Sequence, residues 1–295
     1  MRVKKLLPLL LSAVILCSCS SLGRDDDSAE PVLLTGVSAE TTAETSDMLS
    51  PQRAVVLSPA AAEIVCELGF SDRIAARGEY CDYPEELLSI PTAGSSANPD
   101  TGRILEYSPD IVITESPLSK ADRTDFADSG AQVLCITSPD SLASLREEYI
   151  TLAALWSDSP ETLADNALTE LVRASEEAPL IEGRLMLFLS EENVATPDTL
   201  AGDLVGTFGA NAAKGYKNFY MPYDKIIMTD PDVIFLSDSV DYFAFTDKYA
   251  ELTAVKKGNI IIFDGSLLER PTSRLSELIE FLSDNIPLLH LSDSE

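Results

Sequence analysis

Residues 77–84 read Arg-Gly-Glu-Tyr-Cys-Asp-Tyr-Pro, with two tyrosines, a cysteine and two acids in eight positions. Such a mixture suits a metal site, a catalytic centre, a loop that grips a ligand, or an ordinary turn. The rest of the side-chain inventory narrows the choice. The only histidine is His290, near the carboxyl terminus, so no histidine-rich zinc or manganese site can be assembled. A Ser–His–Asp or Cys–His set would have to recruit that one residue. A Gly-x-Ser-x-Gly nucleophile elbow is absent. Cys81 stands beside acids, and neighbouring negative charge raises a thiol pKa, which disfavours the thiolate that would bind metal. The residues point away from covalent chemistry and toward binding, with no enzyme activity, metal site or cofactor expected.

The compartment is written at the amino terminus. Arg2, Lys4 and Lys5 precede an apolar run from Leu6 to Leu16. That run has the length of a signal peptide's hydrophobic segment and is too short to span a bilayer. A buried first helix is the alternative, but no polar face interrupts the run. It ends Leu16-Cys17-Ser18-Cys19, which resembles the lipobox of bacterial lipoproteins, where a small residue precedes the lipidated cysteine. Cys19 fits; Cys17 follows bulky Leu16 and does not. Residues 1–19 are therefore expected to be a lipoprotein signal peptide, with an extracytoplasmic protein anchored to the cell membrane through lipid on Cys19. Residues 20–52 are dominated by Ser, Thr, Asp and Glu. Such a stretch buries too little apolar surface to offset its ordering entropy, so a flexible tether is expected.

About 245 residues follow Pro51, enough for one or two domains. The formal charge is −28, and removing Arg2, Lys4 and Lys5 with the leader leaves −31. Phosphate backbones would be repelled, so nucleic acid is not an expected partner. Cys66, Cys81 and Cys135 remain after the leader; three is odd, so at least one thiol lacks an internal disulfide partner. Cys66 lies in a helical pattern and Cys135 in a strand pattern, and both are expected to be buried small hydrophobes.

The elements that would position residues 77–84 alternate along the chain. Candidate strands are 53–57, 74–77, 111–114, 132–136, 185–189, 233–236 and 259–263, separated by helical patterns. Pro59–Leu68 is one such helix, with Ser58 as N-cap and Gly69 as stop. This alternation predicts α/β layers with largely parallel sheets. Residues 102–113 (GRILEYSPDIVI) also align with 224–235 (DKIIMTDPDVIF). Each reads as a short helix, a Pro-Asp turn and a buried strand. A common αβ turn would give the same pattern; two lobes of similar construction explain it better. Between them, Ser141–Trp156 is amphipathic, and Ser159-Pro160-Glu161 restarts a helix. A helix over 160–178 would span about 30 Å, either as a stiff spine or as an ordinary surface helix.

The segments RAVVLSPAAAEIVCELGFSDRIAARGEYCDYP, NPDTGRILEYSPDIVI, GRLMLFLSEENVATPDTLAGDLVGTFGANA and LLERPTSRLSELIEFL together resemble a periplasmic-binding-protein family. Its members are the helical-backbone substrate-binding lipoproteins of ABC importers for cobalamin, haem and iron–siderophores. The resemblance implies two Rossmann-like α/β lobes joined by a long helix, with a ligand cleft between them. The lobes would span 53–158 and 184–295, and the linker helix 159–183. It also implies a permease and ATPase as partners and a monomeric binding protein.

In the family, the loop matching 77–84 borders the cleft. Strand 74–77 would deliver Tyr80 and Tyr83 to the carboxyl edge of the sheet, where ligands of open α/β sheets collect. Tyr80 offers a flat amphipathic face, and Pro84 restricts Tyr83; packing of the turn is the other reading of both. Ser95, Ser96 and Asn98 precede a helix start and are further candidate liners. Phe188, Asn193, Thr196 and Tyr220 are candidates on the far lobe. Arg270 resembles a cleft arginine of the family, with a surface ion pair to a neighbouring Glu as the alternative. The family docks on its permease through an acid on each lobe. Asp224 matches on the far lobe, whereas the near-lobe match is Gly102, with Asp100 two residues earlier as a substitute. A cobalamin-like corrinoid is the first ligand implied and a ferric siderophore the second, with Arg77 and Arg270 offsetting the acidic charge locally. Haem ranks third.

Overall fold

In the computed structural model, residues 50–291 are described. The leader with Cys19 and all of the tether before Ser50 lie outside them. In chain order the near half contains β1 (Ala54–Val56), α1 (Pro59–Glu67), β2 (Ile74–Arg77), α2 (Thr101–Glu106), β3 (Ile111–Thr114), α3 (Lys120–Ser129), β4 (Gln132–Cys135) and α4 (Leu142–Ala153). A helical link follows, α5 (Pro160–Ala167) and α6 (Thr169–Glu177). The far half contains β5 (Ile181–Phe188), α7 (Leu200–Phe208), β6 (Gly209–Asn211), α8 (Tyr223–Thr229), β7 (Val233–Ser237), α9 (Tyr242–Lys248), α10 (Thr253–Lys257), β8 (Ile260–Phe263), α11 (Ser266–Glu269) and α12 (Leu275–Asn285).

Among the described residues the strands form two separate four-stranded sheets, ordered β2-β1-β3-β4 and β6-β5-β7-β8. Every neighbouring pair is parallel. The two orders are the same order, so the lobes are built alike. The helix–Pro-Asp–strand repeat is α2–β3 in one lobe and α8–β7 in the other, each supplying the third strand of its sheet. The likeness reaches single hydrogen bonds. Asp110 Oδ2 accepts the Arg53 N–H at 2.9 Å, and Asp232 Oδ2 accepts the Arg184 N–H at 2.8 Å. Each aspartate thus clamps the adjacent central strand, Asp110 just before β1 begins and Asp232 partway along β5. Arg53 and Arg184 in turn donate to the carbonyls of Tyr107 and Thr229. Ser108 and Asp230, each just before the repeated proline, both adopt φ +47°, a left-handed conformation uncommon outside glycine.

Local signals account for the other elements. The Ser58 hydroxyl accepts the Ala61 N–H at 3.3 Å to start α1, and Gly69 at φ +84° follows its end. The strand β6 was not expected; its Gly-Ala-Asn sequence carries no β-branched residue or alternation, and it forms an edge only by pairing with β5. The expected 160–178 helix forms as two helices. Leu168 departs from helical geometry at φ −92°, ψ 6°, although Val172 N–H still reaches its carbonyl at 2.9 Å. Thr169 Oγ1 donates back to the Asp165 carbonyl at 3.0 Å, a bond that bends helices. The link is therefore a broken rod rather than a straight spine. Cys135 is exposed, not buried as expected, because β4 is an edge strand; Cys66 is half-buried.

The described residues belong to one compact unit, and a single apolar cluster runs through both lobes and the link. It includes Ile64, Tyr149 and Leu152 of the near lobe, Leu168 and Leu171 of the link, and Phe235, Leu275 and Ile279 of the far lobe. Exposing any one of these costs roughly 1.5–3 kcal/mol, so wide separation of the lobes is opposed. Polar stitches reinforce the seam. Thr272 Oγ1 donates to Glu63 Oε1 at 2.6 Å, and Ser273 Oγ donates to Glu67 Oε1 at 2.9 Å. Tyr149 O–H donates to Glu67, and its oxygen accepts the Ser273 N–H at 2.7 Å. The Leu142 N–H at the start of α4 donates to Asp203 of α7 at 2.8 Å.

Glu63 is 1% exposed, and burial pushes its carboxyl pKa up against the opposing pull of Thr272 and Arg274. Thr272→Val keeps the shape but removes a donor from this buried carboxylate. It is expected to lower stability by about 1–3 kcal/mol, read from urea denaturation; an unchanged midpoint would show that the seam does not need this bond.

Candidate functional site

The 77–84 loop divides into residues that fold it and residues that it presents. Arg77 is buried: its Nε donates to the Ile90 carbonyl at 3.1 Å and its Nη1 to the Gly78 carbonyl at 3.0 Å. It cannot offset charge at a ligand, contrary to the expectation. Gly78 runs so close to β1 that a Cβ there would lie 2.4 Å from the Leu57 carbonyl oxygen; only glycine allows this approach. Cys81 is buried below the loop, its thiol directed at the carbonyls of Val56 and Leu57 at 3.6 and 3.7 Å. Burial pushes that thiol up to about 12, so the thiolate is suppressed and Cys81 acts as packing. With these anchors inside, Glu79, Tyr80, Asp82 and Tyr83 face outward, Tyr80 at 62% exposure and Tyr83 at 45%.

Two of the outward residues meet the far lobe. Asp82 Oδ1 accepts from Arg270 Nη1 at 2.5 Å, and the Arg274 guanidinium lies 4.3 Å from the centre of the Tyr83 ring. Arg270 therefore pairs across the two lobes, with Asp82 rather than with a neighbouring glutamate. These contacts bring residues 269–274, between β8 and α12, against the carboxyl edge of the near-lobe sheet.

The remaining expected residues separate into open and closed ones. Ser95 is half-buried and Asn98 exposed, in a turn tied to the first loop by Glu79 N–H to the Gly94 carbonyl at 2.8 Å. Ser96 is buried and accepts the Glu115 N–H at 3.4 Å. On the far lobe, Asn193 and Tyr220 are exposed and joined by a backbone bridge, Tyr220 at 64%. Phe188 is not a liner: it is fully buried, with ring centres 4.8 Å from Phe245 and 5.3 Å from Tyr249. Its place at the end of β5 gave the expectation, but its side chain points into the core. Thr196 is likewise fully buried, its hydroxyl donating to Asp198 at 2.7 Å and accepting the Phe219 N–H at 3.1 Å. Asp224 is exposed at the second position of α8, and Gly102 holds the second position of α2. Asp100 is the N-cap of α2, accepting the Arg103 N–H at 3.0 Å.

Where the lobes meet lies a crevice of about 20 Å³ whose lining includes Ser58, Glu115 and Glu148 from the near lobe and Glu269 and Pro271 from the far lobe. Glu115 and Glu269 are exposed, whereas Glu148 is 8% exposed. Burial, and then the charge of Glu115, pushes the Glu148 carboxyl up to about 7. The sequence reading passed over this trio. Its one legible sign is that Glu148 falls on the buried stripe of α4, with Leu145, Tyr149 and Leu152, where an apolar residue belongs. Among the described residues no group of three His, Cys, Asp or Glu side chains is placed to hold a metal ion.

This architecture has known counterparts. A family model described as "Periplasmic binding protein" matches residues 55–267. The uncharacterized ABC transporter substrate-binding lipoprotein YvrC of Bacillus subtilis is 26% identical, over 94% of this chain and 95% of that one. A cobalamin-binding protein of Halobacterium salinarum is 22% identical, over 86% of this chain and 74% of its own length. Among solved structures, the periplasmic vitamin B12 binding protein BtuF of Vibrio cholerae superposes with a TM-score of 0.62 at 21% identity, covering 81% of this chain and 98% of that one. The periplasmic heme binding protein HutB of the same species gives 0.64 at 21% identity, covering 81% and 99%. With two like-ordered parallel sheets and a family match across both lobes, the chain belongs to the periplasmic binding protein family.

Proposed function

We propose that this chain is the substrate-binding lipoprotein of an ABC importer, and that it captures a corrinoid or another metal chelate between its lobes. The supporting observation is the meeting of the near-lobe carboxyl edge with residues 269–274 of the far lobe, beside the outward-facing Tyr80 and Tyr83. An exposed tyrosine on a loop fixed from below is suited to a flat macrocycle, since little ordering is left to do on binding. The names of the relatives agree in kind, being binding proteins for cobalamin, vitamin B12 and heme.

On this reading the protein binds and delivers but catalyses nothing. Lipid on Cys19 holds it as a monomer at the outer face of the cell membrane. It hands its ligand to a permease and ATPase, docking through Asp224 on one lobe and Asp100 on the other. Tyr80, Tyr83, Ser95, Asn98, Asn193 and Tyr220 remain as candidate liners; Ser96 contributes by holding Glu115 in place. Arg270 already has Asp82 as partner, so an anionic ligand would have to displace a carboxylate to reach it. This favours the corrinoid over ferric siderophore and haem.

Isothermal titration of the purified protein with cyanocobalamin, ferric siderophores and haemin tests the assignment. One-site binding of cyanocobalamin at about 1 μM or tighter is expected, and silence toward the whole panel would overturn it. Tyr80→Ala is expected to weaken that binding roughly tenfold while leaving stability within about 0.5 kcal/mol of the parent. Equal affinity of this variant and the parent would remove Tyr80 from the site.

A further inference from the structure

We infer that the crevice between the lobes takes an N–H-donating group of the captured ligand, a carboxamide or ammonium nitrogen, with Glu148 as its acceptor. The cleft thereby selects against ligands that present carboxylates there. This inference rests on the substrate-binding reading above and narrows its ligand class.

Glu148 Oε2 is buried and has no hydrogen-bond partner. Buried acceptors in folded proteins are nearly always paired, because an unpaired one forfeits its solvation without compensation. No side chain of the crevice lining is bonded to it. The Ser58 hydroxyl spends its single proton on Glu115 Oε2, at 2.6 Å. The titratable groups in the crevice with Glu148 are Glu115, from the end of β3, and Glu269, from α11; no lysine, arginine or histidine lines it. Arg270, between Glu269 and Pro271 of the lining, is committed to Asp82. With Glu148 ionised, the site presents three carboxylates, no cationic side chain and one hydroxyl not already bonded to a carboxylate, that of exposed Ser138, and its 20 Å³ has room for one water-sized polar group. A nitrogen carrying protons satisfies it; a carboxylate would bring negative charge into a site already lined by three glutamates.

The experiment compares cyanocobalamin, whose corrin side chains are carboxamides, with a corrinoid whose side chains are free carboxylates. Both are titrated into the parent, Glu148→Gln and Glu147→Gln; Glu147 is the exposed neighbour on α4 and lies outside the crevice. The amide ligand is expected to bind at least tenfold tighter than the carboxylate one. Glu148→Gln should weaken the amide ligand roughly ten- to a hundredfold, whereas Glu147→Gln changes it less than threefold. Amide affinity should rise from pH 6 to pH 8 in the parent, as Glu148 ionises through about 7, and stay flat in Glu148→Gln.

A purely structural glutamate would behave differently in the ligand-free protein. Because the folded pKa lies above the unfolded one, the parent loses stability as pH rises from about 4.5 to 7. Glu148→Gln should then have the higher urea midpoint at pH 8 and an equal one at pH 4. If both corrinoids bind alike, or Glu148→Gln matches Glu147→Gln, the crevice holds water only and this inference falls while the binding-protein reading stands. If no chelate binds, that reading falls, and methylammonium chloride decides the crevice by itself. The Glu148 ¹³C carboxyl resonance, assigned by its loss in Glu148→Gln, should move with methylammonium and not with sodium acetate. A resonance that ignores both would overturn the inference.

Discussion

The two lobes are set against each other by two carboxylates of α1, Glu63 buried and Glu67 half-buried, that find their hydrogen-bond donors on the far lobe. Glu63 and Glu67 belong to the first helix of the near lobe, yet they bond to Thr272 and Ser273, more than 200 residues later. Burying a carboxylate is tolerable only with such donors in place. The apolar cluster around it supplies the bulk of the adhesion but no direction. The hydrogen bonds fix where the far lobe sits, and with it the position of Arg270, Arg274 and Glu269 against the near-lobe edge.

The sameness of the lobes follows from one local device used twice. An aspartate after the repeated proline accepts a backbone N–H of the central strand of its own sheet, Asp110 from Arg53 just before β1 and Asp232 from Arg184 within β5. The following strand must then lie beside that central strand in parallel register. Parallel order sends all carboxyl ends to one edge, and loops at that edge are where open α/β sheets hold ligands. Here those loops carry tyrosines and acids, and Arg270, which reaches them from the far lobe, is already paired with Asp82.

Much of this was legible in the sequence because it is local. Strand patterns, the Ser58 cap and the 122-residue offset between Pro109 and Pro231 each depend on a few neighbouring residues. The failures came where distant packing decides. Phe188 and Thr196 sit at a functional edge by position, but which way a side chain points at a strand end is set by Phe245, Tyr249 and Asp198. Leu168 interrupts the link though its neighbourhood reads as helical, and β6 exists only through its partner β5. Glu148 lies within 141–156, which reads only as an amphipathic segment; what sets it apart is its meeting with Glu115 and Glu269, which come from other segments of the chain.

Residues 269–274 perform two tasks in six consecutive positions. Glu269, Arg270 and Pro271 border the crevice or its rim, and Thr272, Ser273 and Arg274 grip α1. No slack separates the two triplets, since one follows the other without a spacer. The wall of the crevice and the grip on α1 are therefore one continuous piece of backbone, and neither can be rebuilt without touching the other.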